Sequence, residues 1–99
     1  MRIDDFEYAA AQARLRHKAA RHALVDDIQS RDSSVTIDEA LHLAIRSFQL
    51  NASSVSFAER IWARSIPHEK AAAALRAQFQ EFPEAVVDRA LYEATTVTR

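Results

Sequence analysis

Arg14, Arg16, His17, Lys18, Arg21 and His22 form the densest run of chemically capable side chains, with no acid between residues 14 and 22. At helical spacing Arg14, Lys18 and Arg21 share one side. Charges this close repel one another unless an anion is near, so the run calls for acids on other helices or on a second subunit, or for the phosphates of a nucleic acid. Arg14, Arg16, Lys18 and Arg21 are accordingly the candidate nucleic-acid contacts. His22 with Asp26, and Asp38 with His42, stand four residues apart, a spacing at which two side chains on one helix face share a cation. Two ligands do not complete a site, and surface charge pairing accounts for both pairs. No serine stands at a recognisable catalytic spacing from a histidine and a carboxylate. The expectation is no catalytic residue, no metal site and no cofactor.

Arg16, His17 and His22 also read as an arginine, a polar residue, four spacers and a histidine. This resembles the active-site motif of the HEPN ribonucleases, four-helix proteins that assemble their site across a dimer. The resemblance implies that Arg16 and His22 would position and protonate a scissile phosphate. Further along, Phe82 and Pro83 followed by Val86, Val87 and Leu91 loosely resemble the Phe-Pro loop of three-helix ubiquitin-binding modules, which implies a protein partner for that hairpin. The same stretch can be laid on a helix-turn-helix, with Ala77, Phe82, Val87 and Ala90 at its apolar or small positions. Arg76 and Gln80 then stand where the first helix should be buried, and Glu81 where the turn usually has glycine. The would-be recognition helix carries Glu84, Asp88 and Glu93, charge that would face phosphates, with Arg89 and Tyr92 as its only DNA contacts. A plain antiparallel helical hairpin is the better reading.

The elements that must position these residues follow from composition. The chain has 99 residues, 20 of them alanine and none glycine. Alanine favours helix, and a chain without glycine lacks the residue that serves phosphate-cradling loops and tight hairpins. Cysteine is absent, which excludes disulfides and thiolate chemistry. There is no leader-like N-terminus and no apolar run of membrane length, so the expected location is cytoplasmic. A net charge of -1 disfavours a dedicated nucleic-acid binder. Eleven arginines against two lysines, with the alanine load, point to a GC-rich bacterial coding sequence.

The spacing predicts an all-α fold in one domain, residues 1–99: a small bundle with a long N-terminal helix over 4–31 and shorter helices over 36–50, 56–65, 67–80 and 84–94. In the long helix Ile3, Phe6, Ala10, Ala13, His17, Ala20, Leu24 and Ile28 share one stripe. Tyr8, Leu15, Ala19 and His22 lie roughly half a turn away. At about 1.5 Å per residue this helix would reach roughly 40 Å and overhang its neighbours. The second opens with a capping box, Thr36 and Glu39 behind Val35, and would bury Ile37, Ala40, Leu41, Ala44, Ile45 and Phe48. Asn51 would supply its left-handed cap, and Val55, Ser56 and Glu59 repeat the capping pattern for a third helix that buries Phe57, Ile61 and Trp62. Ala71, Leu75 and Phe79 face inward from the fourth, and Val87, Leu91 and Ala94, with Val86 and Ala90 beside them, from the fifth. Thr95 to Arg99 should fray.

A helix with two faces to cover needs a partner. The reading is thus a non-enzymatic helical protein that works through protein–protein contact, by self-association as a homodimer or by binding another protein, along Tyr8, Leu15, Ala19 and His22. The alternatives are a nucleic-acid-binding regulator using the run 14–22 or the hairpin 67–94, and the HEPN-like ribonuclease.

Overall fold

Alanine-rich segments separated by short polar stretches fold here as helix and nothing else. The computed structural model describes residues 1–97, which hold five α-helices and no strand. These are α1 (Ile3–Leu15), α2 (Arg21–Arg31), α3 (Ile37–Trp62), α4 (His68–Gln78) and α5 (Glu84–Val97), with a 3-10 turn at Lys18–Ala20 between α1 and α2. The contacts sort the chain into two units, Met1–Gln49 and Leu50–Arg99.

In the first unit the predicted N-terminal helix is not continuous. Arg16 (φ -112, ψ 147) and His17 (φ -68, ψ 143) are extended and divide it into α1 and α2. His17 Nδ1 accepts the Ala19 N–H at 3.2 Å, which caps the 3-10 turn. The break has a packing reason: folded back, two short helices cover each other's apolar faces, which one overhanging helix cannot do. Arg16 donates to Asp27, Arg31 lies 4.1 Å over the Tyr8 ring and Arg2 Nε is 3.4 Å from Asp32. Partners therefore rise in number on α2 as they fall on α1, so the two run antiparallel. Ala9, Ala10 and Ala13 of α1 and Leu24, Val25 and Ile28 of α2 are buried, whereas Ile3 and His17 of the predicted stripe are exposed.

Asp5 and Asp32 are buried acids of this unit, at 2% and 8% exposure. Asp5 accepts the Arg2 N–H at 2.9 Å at the start of α1. Asp32 accepts the Ser34 N–H at 3.0 Å and the Ser34 hydroxyl at 2.5 Å. Ahead of α3 the predicted capping box is present. Thr36 N–H donates to Glu39 Oε1 at 3.0 Å, and Glu39 N–H to Thr36 Oγ1 at 3.2 Å. Those bonds, the Thr36 N–H first, hold the Glu39 carboxyl below its ordinary pKa.

The longest helix is α3, not the first. It spans both stretches predicted as separate helices over 36–50 and 56–65, and Asn51 lies inside it. Leu43, Ser47, Leu50, Ser54 and Phe57 are buried at steps of four, three, four and three, an unbroken helical stripe. Ile37, 64% exposed, and Leu41 lie off that stripe, a correction to the predicted inward face. The helix ends on Arg64, whose φ of 58 is left-handed. Ser65 N–H reaches Arg60 O at 2.9 Å and Arg64 N–H reaches Ile61 O at 3.0 Å, a Schellman termination without glycine.

In the second unit α4 and α5 form a helical hairpin. Ala71, Ala72, Leu75 and Phe79 meet Val86, Val87, Ala90, Leu91 and Ala94 inside it, with Phe82 buried in the connection and edge-on to Phe79 at 6.2 Å. Arg76 makes a bidentate pair with Asp88, at 2.8 and 2.9 Å. α5 continues to Val97, past the predicted end at 94, with the Thr95 and Thr96 hydroxyls donating to Tyr92 O at 2.8 and 3.0 Å. The predicted fraying of 98 and 99 lies outside the described residues.

Candidate functional site

The residues singled out in the sequence gather at the α1–α2 turn. Leu15, the last residue of α1, is 79% exposed, and Ala19 and His22 are exposed as well. Tyr8 lies seven residues back along α1, half-buried under the Arg31 guanidinium. The two-faced long helix that motivated this line is gone, so its case now rests on the exposure of Leu15 and its neighbours.

The four candidate nucleic-acid contacts divide. Arg16 donates through Nε to Gln12 Oε1 at 3.0 Å and through its terminal nitrogen to Asp27, which pins the turn to both flanking helices. Arg14 is half-buried, and Lys18 and Arg21 are exposed. Among the described residues none of these three is in an ion pair. In the hairpin, Arg89 is spent on Glu93 at 2.7 Å, and Phe82, Val86, Val87 and Leu91 face the interior rather than a partner.

A second surface was missed in the sequence. Trp62, expected in the core, is 46% exposed at the end of α3, and its ring nitrogen does find an acceptor, Thr95 O at 3.0 Å. That bond brings it beside α5, where Tyr92 is 62% exposed. Trp62, Tyr92, Thr95 and Thr96 line one surface hollow of about 260 Å³. Spacing could have placed Tyr92 opposite Leu91 and Ala94, but nothing local distinguished an exposed tryptophan from a buried one.

No protein family, curated protein or solved structure matches this chain. Its own chemistry is the guide. Among the described residues no group of three or more histidines and carboxylates is placed to hold a metal ion, and no helix is long and apolar enough to cross a membrane. The Asp32 carboxyl is held well below the ordinary carboxylate range, by the Ser34 hydroxyl first, with Asp5 and the Ser34 N–H adding to it. The Arg76 guanidinium is pushed up by its bonds to Asp88. Like Glu39 in its capping box, both groups are engaged in bonds that hold helices and loops in place.

Proposed function

We propose that this is a non-enzymatic helical protein that works by binding another protein, a second copy of itself included. The observation that carries the reading is the Trp62–Tyr92 hollow. Two aromatic side chains, Trp62 at 46% and Tyr92 at 62% exposure, stand on one surface, where an interior role would have covered them. Tryptophan and tyrosine supply large contact areas for little lost rotamer freedom, and are the side chains on which protein interfaces most often depend. The hydrogen bond from Trp62 to Thr95 fixes the indole in advance, which lowers the ordering cost of binding. Leu15, Ala19 and His22, with Tyr8 behind them, offer a second contact line on the other unit.

Placing a photo-reactive benzophenone side chain at position 92, and at exposed Glu69 on α4 as a control, tests the reading in cells of the source organism. A discrete adduct with another polypeptide is expected from position 92 and not from position 69. No adduct from 92, or equal labelling from both, would remove the hollow as a binding surface.

A further inference from the structure

We propose that the α1–α2 turn is a docking surface for an acidic segment of a partner protein, which sets an aliphatic side chain against Leu15 and its carboxylates against Lys18 and Arg21. This goes beyond the reading of the aromatic hollow and uses other residues.

Charge comes first. Between Arg14 and His22 the chain has six cationic or titratable basic side chains and no acid. Only Arg16 is given an anion, Asp27, and that pair pins the turn. Arg14, Lys18 and Arg21 are left without an ion pair among the described residues, and Lys18, Arg21, His17 and His22 are exposed. Asp26, on the next turn of α2, is the nearest acid in sequence, four residues past His22. Like charges crowded into one turn repel, and a bound anion relieves that repulsion. At the start of α2 the cap residue Ala20 makes no side-chain bond, and the positive end of the helix dipole favours an anion there.

The apolar residues decide between anions. Leu15, 79% exposed, stands between Arg14 and Arg16 in the sequence of the run, and Ala19, next to Lys18, is exposed as well. A sugar–phosphate backbone would leave that leucine facing charge and water, whereas a polypeptide can present an aliphatic side chain and carboxylates within a few residues.

The test is fluorescence anisotropy of the full chain with three labelled probes. These are a short Glu-rich peptide containing two leucines, the same peptide with serine at both leucine positions, and a short single-stranded RNA. The leucine peptide is expected to bind more tightly than either other probe. Lys18→Glu with Arg21→Glu should weaken it about tenfold or more, and the milder Lys18→Gln with Arg21→Gln should weaken it less, with circular dichroism unchanged in both. Leu15→Ser should weaken the leucine peptide and leave the serine peptide unaffected. RNA binding as tight as the leucine peptide would overturn the proposal, as would peptide binding indifferent to charge reversal, or none. Position-92 cross-linking is read on other residues, so either result can fail while the other holds.

Discussion

Asp32 shows how a single side chain can organise a connection. It lies just past α2, is nearly covered, and accepts two bonds from Ser34 while the Arg2 guanidinium stands 3.4 Å away. These partners favour the ionised form, which is why its pKa is depressed in the fold. An unfolded aspartate titrates near about 4. Because the folded value is lower, this group's stabilising contribution is complete above that range and is lost as pH falls toward the folded value. Thermal melts followed by circular dichroism from neutral pH downward should show the midpoint dropping below about pH 4. Asp32→Asn cannot ionise, so it should melt lower at neutral pH and lose less on acidification. Parallel pH profiles for the two proteins would assign the acid sensitivity to other carboxylates.

At the scale of the element, the end of α3 is held by Arg64 in a left-handed conformation that glycine would adopt without strain. A β-carbon there costs roughly 1–2 kcal/mol, partly offset because glycine is freer in the unfolded chain. Arg64→Gly is therefore expected to raise stability by about 1 kcal/mol in urea denaturation, and Arg64→Val to lower it. Unchanged stability in both would mean that the last turn contributes nothing to the folded state. The place of this terminus was legible, since the predicted helix over 56–65 ends beside it, but its left-handed cap was not, because it falls on an arginine. Thr36 and Glu39 were legible, since a capping box needs only those two side chains at that spacing. Ser56 and Glu59 had the same spacing and formed no start, because Leu50, Ser54 and Phe57 continued a buried stripe through them. Ser54, on that stripe, fell between the two predicted helices, yet a small hydroxyl can be buried where a longer polar side chain cannot. His17 misled in the other direction. Its stripe position predicted continuity, while its ring nitrogen served as a cap. The turn's basic residues were visible from composition, whereas the Trp62 hollow depended on a contact 33 residues away in sequence.

For the whole molecule the question is which apolar side chains hold the fold and which are left for a partner. Leu24 in the first unit and Leu75 in the second are fully covered. Leu15 and Tyr92, one in each unit, have most of their surface in water. Removing a covered leucine costs the transfer of its methyl groups and leaves a cavity, so Leu24→Ala and Leu75→Ala should each lose about 2–5 kcal/mol. A charge placed on an exposed side chain removes neither packing nor a bond, so Leu15→Glu and Tyr92→Glu should stay within about 0.5 kcal/mol of the parent protein. Denaturant midpoints of the four variants separate the two classes in one experiment. With the fold intact, light scattering behind a sizing column then reads association. A mass above the 11.2 kDa of one chain that persists in high salt and falls in Tyr92→Glu would place an apolar contact between copies at the hollow. If Leu15→Glu or Tyr92→Glu instead destabilises like the covered leucines, that side chain belongs to the fold and its surface is no longer free for a partner.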